Sequence, residues 1–234
     1  MSKLLEVSTL RKAFNKKVIL DTLSFSLAQG EVVALLGRSG CGKSTLIKIL
    51  VGYYQADAGS IHFEGKQASD SPLNMRQYVG YTTQDNSFYE KLTLEENMKY
   101  YAQLYHVPSK EAAKRSQELL QAVGLWDHHK TLAGNLSGGM KRRLDFAISL
   151  IHKPRLVILD EPTTGLDPFL IEAFWEIVTS LAHKEKLGIL VSSHHLAEVQ
   201  KYCTRLIVLK QGKISKEATV NKSTNVDELF RKYS

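Results

Sequence analysis

Gly37–Arg38–Ser39–Gly40–Cys41–Gly42–Lys43–Ser44–Thr45 is the stretch on which the reading of the whole chain turns. The apolar run Val32–Val33–Ala34–Leu35–Leu36 leads into it, and Leu46–Ile47–Lys48–Ile49–Leu50 leads out. A buried strand, a glycine loop and a helix in that order form the context of a phosphate-binding loop. Glycine lets the backbone curl until successive N–H groups converge on one point, and the helix N-terminus adds the positive end of its dipole. In that frame Lys43 would reach the β- and γ-phosphates, and the Ser44 hydroxyl would ligate Mg²⁺. Residues 37–45 are therefore expected to cradle a nucleoside triphosphate.

Outside this stretch, 234 residues suffice for one α/β domain with a sizeable insertion. Hydrophobic and charged fractions of 43% and 24% are those of a soluble globular protein. No apolar run approaches the roughly 20 residues that span a bilayer, and Glu6 interrupts any signal-peptide core after Met1–Ser2–Lys3–Leu4–Leu5. The two cysteines, Cys41 and Cys203, form neither a disulfide framework nor a metal site. With Cys41 inside the loop, a reducing cytoplasmic setting is expected. The net charge of +7 suits a solvated surface, an anionic membrane face or nucleic acid, and scattered Lys and Arg do not decide among them.

Leu5, Val7, Val18, Leu20, Leu23, Phe25 and Leu27 alternate as in short, half-buried antiparallel strands, with turns at Asn15–Lys16–Lys17 and Ala28–Gln29–Gly30. Ile61–His62–Phe63–Glu64 adds another strand of that set. Composition alone places Phe14 in the core; its alternative is a platform for a base. Tyr78–Gln84 reads as a strand with a polar end, and a helical stretch follows. Thr93 and Glu96 form a capping box for a helix that packs Met98, Tyr101, Leu104 and Tyr105. Pro108–Ser109 opens a second helix, which Gly124 ends. Ser137 caps a third whose first turn holds Gly138 and Gly139; glycine there costs up to about 1 kcal/mol of helix stability, which a ligand approaching the amides would explain.

Leu156–Val157–Ile158–Leu159 is a buried parallel strand ending in Asp160–Glu161, where α/β sheets bind ligands. Asp167 caps a helix with Pro168 in its first turn, and Gly188–Ser193 is a further strand ending at His194–His195. His195 and the pair His128–His129 read as solvated. Leu206–Leu209, the Gln211–Gly212 turn and Lys213–Ile214 close a hairpin, and a short amphipathic helix runs from Asn225 to Tyr233.

The ordered set now resembles the ATP-binding subunit of an ABC transporter over nearly the whole chain. Residues 37–44 match Walker A, Gln84 the Q-loop, and Leu136–Ser137–Gly138–Gly139–Met140 the signature. Leu156–Glu161 match Walker B with its glutamate, Gly165–Leu166–Asp167 resembles the D-loop, and His194 the switch histidine. The resemblance implies a P-loop ATPase core of residues 1–84 and 153–234 with an antiparallel β-subdomain, and an inserted α-helical subdomain at 85–152. It implies ATP and Mg²⁺ as cofactors: Phe14 under the adenine, Ser44, Gln84 and Asp160 at the metal. Glu161, His194, Lys43 and Gln84 are then catalytic. Ser137, Gly138 and Gly139 would close over ATP held by a second copy, in a head-to-tail homodimer.

Phe14 replaces the family's common tyrosine, which leaves stacking intact. Met140 replaces its common glutamine and, with Lys141–Arg142–Arg143, resembles the branch serving exporters of drugs, lipids or polysaccharides. A separate transmembrane permease is then the expected partner, with the chain peripheral at the inner face of the cell membrane. Phe88–Tyr89 is the candidate docking patch, and Cys41 a candidate reactive thiol beside Lys43. A soluble ABC-type ATPase acting on ribosomes or DNA is the alternative; the single cassette, without heptads or a cysteine cluster, speaks against it, and no nucleic-acid partner is expected.

Overall fold

The computed structural model describes residues 3–67 and 76–234. Residues 1–2 and 68–75, which belong to the expected core segment 1–84, lie outside the described residues. Asn15 and Lys16, at φ 46° and 68°, make the two-residue turn between β1 (Lys3–Phe14) and β2 (Lys17–Ala28). Both residues are left-handed, so the turn follows the twist of the strands it joins. β1 also pairs antiparallel with β4 (Ala58–Phe63), and β4 with β5 (Lys66–Gln67), giving a four-stranded sheet of order β2-β1-β4-β5. The strands are long, 12 residues each for β1 and β2, and register shifts on both strands absorb the twist. Val18 corrects the expected pattern. It is exposed, paired with Ala13 near the turn and beyond the apolar layer.

The second sheet has the order β10-β9-β3-β8-β7-β6. β3 (Val32–Leu36), β6 (Val79–Thr82), β7 (Leu156–Asp160), β8 (Gly188–Ser192) and β9 (Arg205–Lys210) run parallel, and β10 (Lys213–Thr219) closes it antiparallel. Alternate residues of the apolar runs enter opposite layers, as a period of two requires. Val33, Leu35, Ile158 and Leu190 pack with the antiparallel sheet and α1 (Lys43–Leu50). Ala34, Leu36, Val157, Leu159 and Val191 pack against the other helices.

Between β6 and β7 the described elements are helical: α2 (Leu94–Leu104), α3 (Ser109–Ala122), two 3-10 turns and α4 (Gly138–Ser149). Both halves of the Thr93–Glu96 capping box form. Met98 is fully buried and Tyr101 and Tyr105 pack on the core, but Leu104, 57% exposed, does not. It ends the helix, where the chain turns away from the layer. His128 is exposed, whereas His129 stacks on Trp126 at 4.4 Å and is not simply solvated. α5 (Pro168–Glu185) starts at Asp167, whose side chain accepts from Leu170 N. α6 (Leu196–Tyr202) and α7 (Val226–Tyr233) complete the fold. No helix among the described residues is long and apolar enough to cross a membrane.

Candidate nucleotide site

Four parallel strands lie side by side in the order β3-β8-β7-β6, and their carboxyl ends deliver four segments to one edge of the sheet. These are the loop 37–45, Ser193–His194, Asp160–Glu161 and Thr83–Gln84. Parallel sheets bind ligands at this edge because helix N-termini and strand ends converge there.

Within the loop, a Cβ on Gly42 (φ 114°) would stand 2.7 Å from a Leu20 methyl, and one on Gly37 2.6 Å from the Leu209 carbonyl. No side chain fits at either position. Cys41 N donates to Arg38 O (3.2 Å) and Gly212 N donates to Cys41 O (3.0 Å), which pins the loop to the β9–β10 turn. Among the described residues no backbone carbonyl accepts from the amides of Gly40, Gly42, Lys43, Ser44 or Thr45. The Lys43 ammonium donates to Gly37 O (2.6 Å), and the Arg38 guanidinium turns toward Ser234 Oγ (3.4 Å). Ser39 and Ser44 are exposed. Cys41 is buried under Gly37, so its thiol is a packing group and not the accessible nucleophile that reactivity requires.

Phe14 is 38% exposed, which overturns the core placement suggested by composition. It stands at the last position of β1, past the apolar layer. Tyr54 meets it edge-on at 5.2 Å, and the Lys12 ammonium, 2.7 Å from Asp57, lies 5.2 Å from its centroid.

Asp160 accepts a short hydrogen bond from Ser192 Oγ and another from the Tyr81 hydroxyl at 3.4 Å. Burial, reinforced by the Asp160 charge, pushes the Tyr81 phenol well above its ordinary range, so it stays a donor. Glu161 leaves β7 at φ 48°, a left-handed conformation that costs a non-glycine residue about 1–3 kcal/mol. Its amide donates to Ser192 O (3.1 Å) and to Ser192 Oγ (3.2 Å), and these bonds hold the bend. Its carboxylate lies 3.4 Å from His194 Nδ1 and accepts from Thr164 Oγ1 at 3.4 Å. His195 is exposed, as the sequence suggests.

Gln84 is exposed beyond β6. Ser137 caps α4 by accepting from Met140 N (3.3 Å). A Cβ on Gly139 would press on Leu170 of α5 at 3.0 Å, so packing accounts for that glycine. Gly138 is exposed, and a Cβ on it would meet only Leu166 at 4.0 Å, an ordinary contact, so packing does not account for that glycine. No hydrogen bond or ion pair among the described residues joins 136–139 to 37–45. Phe88 is buried and Tyr89 exposed, so only half of the expected docking patch is at the surface.

Several site residues escaped the sequence reading. Glu198 of α6 is buried; it accepts from Thr163 Oγ1 (2.8 Å) and Trp175 Nε1 (2.7 Å), tying the segment after Glu161 to the helix after His194. Asp145 of α4 is also buried, and burial pushes its carboxyl up to about 6. Its ordinary value is near 4, so the folded protein holds this proton more tightly than the unfolded chain. The stability this provides is fully present below pH ~4 and is lost as the pH rises through about 6, a change of about 3 kcal/mol. Asp145→Asn is expected to flatten that limb when urea midpoints are measured from pH 4 to 7; an unchanged slope would show that Asp145 does not titrate there. An acidic residue in the otherwise apolar run from Leu144 to Ile148 was the available signal.

The residues fit MgATP. Unpartnered loop amides and Lys43 suit phosphates, while the Ser44 hydroxyl, Gln84 amide and Asp160 carboxylate are hard oxygen donors of the kind Mg²⁺ takes. A family model described as ABC transporter matches residues 20–164. The chain is 36% identical over 211 residues to the linearmycin resistance ATP-binding protein of Bacillus subtilis, covering 90% of this chain and 68% of that protein. It is 37% identical over 227 residues to a lantibiotic transport ATP-binding protein of Streptococcus pyogenes, covering 97% and 96%. A solved ATP-binding subunit of an ABC transporter superposes with a TM-score of 0.86 at 32% identity, covering 98% of this chain and 99% of that one. The chain belongs to the ABC-transporter family, as an ATP-hydrolysing subunit.

Proposed function

We propose that this subunit, at the cytoplasmic face of a membrane, drives a separate transmembrane permease that exports its cargo, and that two copies close around two MgATP. The observation that carries the site assignment is the convergence of four adjacent strand ends on one edge of the sheet. There Phe14 stacks on the adenine, residues 37–45 wrap the phosphates, and Lys43 neutralises their charge. Ser44, Asp160 and Gln84 hold Mg²⁺, which when bound draws charge from the phosphate oxygens. Glu161 orients the attacking water and accepts its proton, with His194 fixing the carboxylate. Among the described residues Ser137, Gly138 and Gly139 make no hydrogen bond to the loop 37–45, which supports their service to the second copy. Phe169, 85% exposed on the first turn of α5 beside Leu170, gives that copy apolar surface. The helical segment 85–152 then moves against the core of 1–84 and 153–234.

Export is supported by relatives named for lantibiotic, bacitracin and doxorubicin transport or resistance. Tyr89 and Tyr100, exposed and stacked edge-on at 4.9 Å beside the Gln84 segment, are the surface we assign to the permease; Phe88 is replaced in that role because it is buried. Expressed with a multi-span membrane protein encoded beside it, the chain is expected to co-purify with membranes. Tyr89→Ala with Tyr100→Ala should lower recovery several-fold at unchanged ATP affinity. Retention on ribosomes or DNA instead of membranes would reverse the assignment.

A further inference from the structure

The segment carrying Gln84 is gripped from one side by α4, the helix that begins at the signature. Arg142 donates from Nη1 to Thr83 O (3.0 Å) and makes a short bond from Nη2 to Gln84 O. One turn further along the same face, Asp145 Oδ1 accepts from Ser87 N (3.1 Å) and, in a short bond, from Ser87 Oγ. Tyr101 of α2 adds a short bond from its hydroxyl to Ser87 O. Residues 83–87 are thus fastened at both ends, by side chains three apart on α4.

The fastening is expensive. Asp145 is 1% exposed, and its Oδ2 has no hydrogen-bond partner among the described residues. A buried carboxylate with one oxygen unpartnered destabilises a core position that an apolar residue would fill without penalty. Packing alone gives no reason for it; the grip on Ser87 does. Arg142 is likewise spent on two backbone carbonyls and forms no ion pair among the described residues.

We infer that Arg142 and Asp145 are positioning residues that make the Gln84 segment and the signature end of α4 one mechanical unit. The inference rests on the assignment of Gln84 to the nucleotide site. When Gln84 engages nucleotide, the displacement of 83–87 is handed to α4 through these bonds, and Ser137–Gly139 move with it. Communication between two sites needs such a linked element, whose position both ligands bias. If the link is cut, ATP still binds, but the two halves of the reaction centre assemble less often, so turnover falls without a matching loss of affinity.

The test is steady-state ATPase kinetics on the full chain with Arg142→Ala, Asp145→Ala, Asp145→Asn and Gln84→Ala. Arg142→Ala and Asp145→Ala are expected to lower kcat about tenfold with KM for ATP within about twofold. Asp145→Asn, whose amide oxygen still accepts from Ser87, is expected to recover most of the rate. Arg142 is half-buried and among the described residues bonds only carbonyls, so its variant remains informative if Asp145→Ala does not fold. Unchanged kcat in Arg142→Ala, or a raised KM at unchanged kcat, beside a slow Gln84→Ala, would overturn the link. A Gln84→Ala enzyme with the wild-type rate would instead overturn the underlying assignment of Gln84.

Discussion

Glu161→Gln is expected to lower kcat for ATP hydrolysis about a thousandfold while leaving ATP affinity within a few-fold of wild type. Glutamine has the shape of glutamate and can still accept from Thr164 Oγ1, so the bend at φ 48° and its bonds to Ser192 survive. What disappears is the carboxylate proposed to take a proton from the attacking water; general-base catalysis contributes about 10²–10⁴-fold. Binding is expected to be spared because the loop proposed to hold the phosphates follows β3, two strands away in the sheet. Single-turnover hydrolysis and titration with a fluorescent ATP analogue separate the two quantities. Hydrolysis at the wild-type rate would remove Glu161 from the chemistry.

Lys43→Ala is expected to weaken ATP binding about a hundredfold. The ammonium has no carboxylate partner among the described residues; it donates to Gly37 O at 2.6 Å and lies 3.5 Å from Arg38 O. Those bonds keep its charge at the loop, where the proposed phosphates would replace them. A charge-assisted hydrogen bond contributes about 1.5–3 kcal/mol, and 2.7 kcal/mol is a factor of about one hundred in Kd. Thermal stability should be nearly unchanged, since no buried group loses a partner. Calorimetric titration with ATP is the check; the same Kd as wild type would contradict the placement of phosphate in this loop.

The places of both residues in the fold were legible in the sequence: Glu161 follows the apolar run Leu156–Leu159 and Asp160, and Lys43 lies in the loop between the runs Val32–Leu36 and Leu46–Leu50. β3, the loop and α1 could be read from Val32 to Leu50, and the caps at Thr93, Ser137 and Asp167 from a few residues each. Periodicity says which side a residue faces, but not where a strand or helix runs past the core. Val18, Leu104 and Phe14 lie at such ends; pattern placed the first two inside and composition placed Phe14 there, and all three are exposed. Phe88 and Tyr89 show the reverse, a buried ring beside an exposed one on a loop that has no period.

The bonds that organise the site were harder to see. Ser87 and Asp145 are 58 positions apart, and Thr163 and Glu198 are 35 apart. Only the packed structure pairs them. A carboxylate in an apolar stretch can signal that a partner exists without naming it, and that is how Asp145 and Glu198 stand in this sequence.

The claim that each copy supplies half of both reaction centres is tested most directly by the molar mass of the Glu161→Gln chain in solution. With saturating MgATP, light scattering after size exclusion should give twice the monomer mass, and removal of nucleotide should return it to the monomer. A Glu161→Gln chain that binds ATP yet stays monomeric, with and without its permease, would contradict the account.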